Sequence, residues 1–190
     1  MILARLLILA LIIFEFLNLF GILKFTLDFS WLGLIVTSLG TFAIIEAVYY
    51  GFWKRGFGLP VLPYYFIAFS LWFDAVGDIG HYYGRVEWYD QVAHILGGAA
   101  VMSVALGIFS KYREKYKMPL LAMILICLAF TALLGDLYEI EEYLEDALYH
   151  GRQVRLGNGP DTANDLMLNL LGGALTGIIY LTLRKKWGKK

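Results

Sequence analysis

Charge is scarce in this chain and is evenly divided by sign. Charged residues make up 17% of the 190 positions, and the formal net charge is zero. Without a basic excess, a protein that binds nucleic acid mainly through its overall charge is excluded. Hydrophobic residues make up 59% and the mean hydropathy is +0.65, which is too apolar for a soluble domain of this length. We therefore expect an integral membrane protein whose neighbours are membrane lipids, with no nucleic-acid partner.

Cysteine and cleavage signals are also nearly absent. Cys127 is the single cysteine, so no internal disulfide can form. The apolar N-terminal run has no small-residue cleavage site, and we expect it to remain as the first transmembrane helix. The four prolines lie near the ends of apolar runs, at positions 60, 63, 119 and 160, where helices begin or stop.

Six apolar runs are long enough, or nearly so, to cross ~30 Å of hydrocarbon as helices. The predicted fold class is therefore all-α, a polytopic membrane helix bundle that forms a single transmembrane domain over residues 1–190. The six transmembrane helices are predicted near 3–23, 31–53, 62–83, 90–110, 118–149 and 162–183. The second half of the fifth run is acidic, and we expect it to continue the helix past the membrane surface.

Lysine and arginine are distributed unequally between the two ends of these helices. Twelve of them fall on the side that carries both termini, and four fall on the other side. Because positively charged loops stay in the cytoplasm, we expect a multi-pass protein of the cell membrane with both termini cytoplasmic. The basic segment 184–190 would then rest on anionic lipid headgroups, with Trp187 at the interface.

One polar motif occurs twice. The stretch 90–99 (DQVAHILGGA) recurs as 165–174 (DLMLNLLGGA), and each copy follows a run that ends in Gly-Asp, at 77–78 and 135–136. In each copy the acid and the polar residue four positions later share one face of a helix. The Gly-Gly-Ala that follows allows another helix to approach closely. We therefore predict a tandem duplication of a helical hairpin, formed by helices 3–4 and 5–6.

Carboxylates collect at the non-cytoplasmic ends of helices 3–6. Twelve of the sixteen Asp and Glu residues fall within 74–94 and 136–165. Ionisable side chains at membrane depth cost ~2.5–3.5 kcal/mol each on insertion scales, so they normally face partners inside the bundle. The side chains that share helix faces in this layer are Asp74, Asp78 and His81; Asp90 and His94; Asp136, Glu139, Glu142 and Asp146; and Asp161, Asp165 and Asn169.

Few basic residues are available at that depth to balance these acids. Either several carboxyl groups stay protonated or a cation lies among them. Carboxylates and imidazoles on facing helices are how helix bundles build metal sites. Oxygen and nitrogen ligands together suit Zn²⁺, Mn²⁺ or Fe, and oxygen alone suits Mg²⁺, so the divalent metal ion is left open. The predicted ligands are Asp78, Asp90, His94, Asp136, Glu139 and Asp165.

The same residues supply candidates for chemistry and for substrate contacts. The predicted catalytic residues are Asp90, His94, Glu139 and Asp165. The predicted substrate-binding residues are His81, Arg152, Arg155 and Asn169, the two arginines as a phosphate clamp. Additional acids in the layer are Asp74, Glu142 and Asp161. Asp161 or Thr162 is a plausible cap for the last helix, and Asp161 fits the role of cap as well as that of a site residue. His94 could instead hydrogen-bond Asp165 or a backbone carbonyl. Glu87, Glu141 and Glu145 are expected to be solvated.

Three motifs carry a family resemblance. The chain resembles the YjdF-like bacterial and archaeal membrane proteins, and more distantly the VanZ-like family, over roughly residues 74–180. The motifs are Asp90-x-x-x-His94, Gly135-Asp-x-x-Glu139 and Asp161-Thr-Ala-Asn-Asp165-x-x-x-Asn169-x-x-Gly172. The resemblance implies a membrane helix bundle with these side chains in its polar site. VanZ-like proteins are associated with glycopeptide-antibiotic tolerance, which implies a role at the cell envelope.

A metal-dependent enzyme of the outer leaflet is the leading interpretation. It would hydrolyse a lipid or lipid-linked headgroup or transfer a group on it, with a bound cation activating water and a remaining carboxylate acting as general base. The alternative is a small cation or proton transporter or channel, because buried acids and repeated hairpins also suit transport. A second alternative is a structural or accessory envelope protein. The single layer of acids, without a matching polar path to the cytoplasmic side, favours the enzyme.

Overall fold

The protein is a bundle of helices. The computed structural model describes residues 1–54 and 59–187, and within them it contains helices and no strands. The helices are α1 (Ile2–Leu19), α2 (Trp31–Trp53), α3 (Val61–Ile79), α4 (Tyr89–Tyr116), α5 (Leu120–Glu145, continued by a π-helical turn at Asp146–His150) and α6 (Gly159–Trp187). The predicted all-α fold is confirmed. Arg55, residues 188–190 and the side chains of 185–187, which entered the orientation and anchor predictions, lie outside the described residues.

Within residues 1–54 and 59–187, five helices are long and apolar enough to cross a membrane, namely α1, α2, α4, α5 with its π-helical turn, and α6. Large apolar side chains on the outside of α5 and α6 are more than half exposed, among them Leu121, Met167 and Ile178, as expected for a surface that lipid tails cover. α3 contains Asp74 and Asp78 and is not among the five. A multi-pass helical bundle is therefore confirmed, and the sixth span stays a prediction.

Two helices end earlier than predicted, and each is followed by a residue with left-handed backbone conformation. α1 ends at Leu19 rather than 23, because Gly21 has a φ of 70°. α3 ends at Ile79 rather than 83, because His81 has a φ of 56°. The N–H groups of His81 and Tyr82 turn back to the carbonyl oxygens of Asp78 and Gly77. A left-handed residue after the last helical turn closes a helix in this way.

α6 begins earlier than predicted, at Gly159 rather than 162. Asn158 is its cap, because the Asn158 side-chain oxygen accepts the N–H of Asp161 at 3.2 Å and its carbonyl oxygen accepts the N–H of Thr162. Asp161 and Thr162 were the predicted caps, and both lie inside the first turn. The side chain of a cap accepts the backbone N–H two or three positions later, and Asn158 lies three positions before Asp161.

The two copies of the repeated motif pack on each other where α4 crosses α6. A Cβ on Gly98 would collide with the backbone of Asn169, and a Cβ on Gly172 would collide with the backbone oxygen of Ile95. Only glycine allows two backbones to come this close. The contact is nearly reciprocal, so His94 and Asn169, one turn before the glycines, face each other. This contact agrees with the repeat in sequence, and the duplication itself stays a prediction.

Replacing Gly98 with alanine should lower the free energy of unfolding by about 1–3 kcal/mol, because the new methyl group overpacks a backbone contact. Unfolding in detergent can be followed with a thiol-reactive fluorophore, since Cys127 is buried and is the single cysteine. The matched control is Gly40→Ala in α2, where a Cβ meets nothing within 4 Å. Equal stability of the two variants would show that the crossing is not tightly packed.

Candidate functional site

A buried polar cluster lies where α4, α5 and α6 meet. We call Asp90, His94, Glu139, Asp165 and Asn169 the central cluster. Four of its members are almost fully buried, with 5% exposure at His94, 5% at Glu139, 3% at Asp165 and 6% at Asn169. The predicted catalytic residues are therefore close together in the structure, contributed by both copies of the repeat and by α5.

His94 is at the centre of this cluster. Its Nε2 atom lies 3.5 Å from Oδ1 of Asp90 and 3.7 Å from Oδ1 of Asp165. Its Nδ1 atom lies 3.9 Å from Oε1 of Glu139 and 3.3 Å from Nδ2 of Asn169. The three distances to carboxylate oxygens exceed the ~2.7–3.2 Å of a good N–H···O hydrogen bond, whereas the contact with Asn169 is a hydrogen bond. The acids therefore surround the ring without forming good hydrogen bonds to its two nitrogens.

Asp90, His94 and Asp165 are placed to hold a metal ion. Each offers one ligand atom, and the three atoms lie within 4.8 Å of one another. Both side-chain oxygens of Glu139 and Oδ1 of Asp165 are buried without a hydrogen-bond partner among the described residues. Burying unpartnered carboxylate oxygens is costly, and a cation among them would offset that cost. One imidazole with carboxylates fits Zn²⁺, Mn²⁺ or Fe better than Mg²⁺.

Asp90 connects the cluster to its surroundings. Its side chain is 39% exposed, whereas those of His94 and Asp165 are 5% and 4% exposed. Asp161, in the first turn of α6, is exposed and acts electrostatically on both Asp165 and Glu139. The exposed edge of the cluster, which we call the entrance, is therefore acidic and lies at the end of the bundle where α4 and α6 begin.

The Gly-Asp dipeptide at 135–136 contributes through its glycine. A Cβ on Gly135 would lie 3.0 Å from Nδ2 of Asn169, so the missing side chain makes room for the asparagine. Asp136, predicted as a metal ligand, is exposed and lies outside the central cluster. The stripe of acids on α5 is rotated so that Glu139, and not Asp136, faces α4 and α6.

Asp78, also predicted as a ligand, is buried at a different place. Its Oδ1 accepts the backbone N–H groups of Asp28 and Phe29 at 2.7 and 2.9 Å. This side chain therefore fastens the α1–α2 loop to the end of α3. Asp74 accepts a 2.6 Å hydrogen bond from the Tyr83 hydroxyl, whose pKa is raised well above its usual value, mainly by burial.

His81, predicted to bind substrate, instead joins two loops. Its Nδ1 lies 2.7 Å from Oδ1 of Asp28, and its Nε2 lies 3.1 Å from the hydroxyl of Thr26. Both ring nitrogens are therefore engaged at the α1–α2 loop, away from the central cluster. Of the four predicted substrate-binding residues, only Asn169 belongs to the cluster.

Arg155 corrects the predicted phosphate clamp. Its guanidinium donates to Glu142 at 3.2 Å, to Glu145 at 2.8 Å and to the hydroxyl of Tyr138 at 2.7 Å, and its side chain is 2% exposed. Burial would lower the pKa of Arg155, but Tyr138 and the nearby carboxylates raise it well above its usual value, so it stays charged. Arg155 is consequently committed to the protein's own acids, and Arg152 remains exposed.

The loop that carries Arg155 is held by Asp146. The Asp146 carboxylate accepts the backbone N–H groups of Val154, Arg155 and Leu156 at 3.0 to 3.1 Å. Glu145 was expected to be solvated, but it is 8% exposed and pairs with Arg155. The expectation failed because Arg155, the cation that pairs with Glu145, lies in a loop ten positions later in the chain. Helical spacing does not indicate that pairing. Glu87 is exposed as predicted.

Comparison with known proteins gives one match. A family described as "Predicted membrane protein (DUF2238)" matches residues 3–186. The chain belongs to this family. The YjdF-like family that the motifs indicate is the same family, so that prediction is confirmed. No curated protein and no solved structure matches this DUF2238 chain significantly.

In this DUF2238 protein, replacing Arg155 with methionine should destabilise the fold by about 3–5 kcal/mol, because Glu142 and Glu145 lose their buried cation. Reactivity of Cys127 in detergent measures the loss. Arg152→Met is the matched control, since Arg152 is exposed in the same loop, and it should stay within about 0.5 kcal/mol of the wild type. A similar small loss for both variants would mean that the Arg155 pairing contributes nothing to stability.

Proposed function

We propose that this DUF2238 protein is a metal-dependent hydrolase or transferase that acts on a lipid or lipid-linked headgroup at the non-cytoplasmic face of the cell membrane. One observation carries the proposal: both carboxylate oxygens of Glu139 and Oδ1 of Asp165 are buried beside a single imidazole and have no hydrogen-bond partner among the described residues. Acids that merely stabilise a bundle are expected to be paired, as Glu142 and Glu145 are with Arg155.

Each residue of the central cluster has a role in this proposal. Asp90, His94 and Asp165 would hold the cation, since their ligand atoms lie together. When bound, a divalent cation supplies a polarised phosphoryl or carbonyl oxygen and a more acidic water. Glu139 lies outside this three-residue group, 3.9 Å from Nδ1 at the other edge of the His94 ring. Because both of its oxygens lack a hydrogen-bond partner among the described residues, we assign it the uptake of the proton from the attacking water.

The position of the entrance supports a headgroup as substrate. Asp90 lies at the start of α4, at the same end of the bundle as several exposed aromatic side chains. These are Tyr82, Trp88, Tyr143 and Tyr149, each more than 40% exposed. Exposed tyrosine and tryptophan are enriched at the membrane interface, where lipid headgroups lie. Arg152, exposed in the same region, is available to contact an anionic part of the substrate.

The packing beneath the cluster favours an enzyme over a transporter. Farther along α4, α5 and α6 from the entrance, the interior is filled by an apolar core made of Met102, Ala105, Leu106, Met123 and Cys127. A transported cation or proton needs polar groups or water along its route. The hydroxyl groups of Ser103, Thr131 and Thr176 in this part of the three helices each bond a backbone carbonyl oxygen of their own helix.

Replacing Asp165 with asparagine should abolish binding of Zn²⁺ or Mn²⁺, because it removes the charge of a buried ligand. Equilibrium dialysis with elemental analysis of the purified protein in detergent should find about one equivalent in the wild type. Asp136→Asn is the matched control, an exposed acid on α5 outside the cluster, and it should bind like the wild type. Binding that is equal in all three proteins, or absent from the wild type, would overturn the metal site.

Glu139→Gln should keep the metal and lose turnover, because the amide cannot take up a proton. Headgroup release from a panel of labelled lipids, measured with Zn²⁺ or Mn²⁺ present, should fall by about 10²–10⁴-fold. Glu87→Gln is the control, since Glu87 is exposed at the same end. If wild-type protein in vesicles carries the cation across the bilayer and releases no headgroup, the transporter alternative replaces the enzyme.

A further inference from the structure

Asn169 has no direct part in the proposed reaction, although it is buried in the central cluster. Its amide can neither take up a proton nor supply a charge, and it faces Nδ1 of His94, as Glu139 does, whereas Asp90 and Asp165 face Nε2. A substrate arriving past Asp90 would meet the other edge of the ring first. The sequence-based role of Asn169 in substrate binding therefore does not follow from its position.

We propose that Asn169 is a positioning residue. Its hydrogen bond to Nδ1 holds the His94 ring with Nε2 aimed at the cation site between Asp90 and Asp165, and the end of the amide that faces the ring determines which ring nitrogen carries the proton. This inference rests on the metal site proposed above. Histidine ligands commonly use their second ring nitrogen for a hydrogen bond that sets the tautomer and ring direction. In the central cluster, Asn169 is the neutral group within 3.3 Å of that nitrogen.

Three glycines hold Asn169 in place. Its backbone rests against Gly98 of α4, where any side chain would collide. Its amide fills the space that a side chain would occupy near Gly97 and Gly135, 3.7 Å and 3.0 Å from the positions of the missing Cβ atoms. The amide is therefore enclosed by two neighbouring helices, and the motion left to it is rotation about the Cβ–Cγ bond of Asn169.

An amide suits both states of such a site. With Nδ2 toward the ring, as here, Nδ1 of His94 accepts the hydrogen bond and the ring proton lies on Nε2, facing the two aspartates. Turning the amide by half a turn presents Oδ1 instead, which accepts from a protonated Nδ1 and leaves the Nε2 lone pair for a cation. Leucine of similar size supplies neither contact, and aspartate supplies only the second.

The repeat assigns the two roles to equivalent positions. His94 and Asn169 each lie four residues after the acid of their copy, and the crossing at Gly98 and Gly172 brings them face to face. One copy thus contributes the nitrogen ligand, and the other contributes the group that orients it. A repeat with two identical histidines would lack the neutral amide that can present either a donor or an acceptor.

The experiment compares Asn169→Leu with the matched control Asn164→Leu. Asn164 is a half-buried asparagine on the same helix. The readout is nitrogen-15 NMR of histidine-labelled, metal-free protein. Because the protein contains three histidines, the variant His94→Gln is used to assign the His94 signals. At a pH where the His94 ring carries one proton, we expect a single Nε2-protonated form in the wild type and in the control, and a mixture of tautomers in Asn169→Leu. The affinity for Zn²⁺ should fall about 10–100-fold in Asn169→Leu alone.

Wild-type His94 signals together with wild-type Zn²⁺ affinity in Asn169→Leu would overturn the positioning role. If the wild type binds no Zn²⁺, the proposed function fails, while the tautomer measurement still decides the role of Asn169. If Cys127 reacts with the fluorophore in Asn169→Leu, that variant is unfolded and Asn169→Asp is measured in its place. A carboxylate only accepts, so His94 should then carry its proton on Nδ1, and an unchanged Nε2-protonated signal would again contradict the inference.

Discussion

The close approach of α4 and α6 is the constraint on which the site depends. Gly98 and Gly172 allow the two backbones to touch, and the polar residues one turn earlier are thereby forced together in the interior. Without this crossing, Asp90 and His94 would belong to one helix face and Asp165 and Asn169 to another. α5 completes the arrangement because Gly135 lets it close on Asn169, which brings Glu139 within 3.9 Å of His94.

Two buried acidic groups lie at the same end of the bundle, and they are neutralised differently. Glu142 and Glu145 have a cation supplied by the chain, Arg155, which is held in place because Asp146 binds the backbone of its loop. Among the residues that the structure describes, the central cluster places one imidazole, that of His94, beside three carboxylates, and both Glu139 oxygens and Oδ1 of Asp165 lack partners. A bilayer makes such an imbalance expensive. This difference separates a structural network from a site that we propose to be filled by a metal ion.

Much of the site could be predicted from the sequence because its signals are local. The i, i+4 spacing of Asp90 and His94 and of Asp165 and Asn169 fixes which side chains share a helix face, and the Gly-Gly-Ala of each copy marks the crossing. Glu139 also follows from a stripe on one helix. The all-α membrane bundle follows from apolar runs, which the five long apolar helices confirm.

The remaining errors concern partners that are distant in the chain. Asp78 and Asp136 occupy corresponding positions after a glycine, yet one binds the backbone of the α1–α2 loop and the other is exposed. Helix rotation decides this, and periodicity alone does not fix rotation. Arg155 was assigned to substrate because a loop arginine gives no sign of the acids it will meet.

X-ray absorption at the metal edge of the Zn²⁺-loaded wild-type protein tests the central claim most directly, because it reports the atoms bound to the ion. The account predicts one imidazole nitrogen and carboxylate or water oxygens at about 2.0–2.2 Å, with no sulfur, since Cys127 lies in the apolar core and outside the cluster. A shell of oxygens without imidazole, or a sulfur ligand, would contradict it.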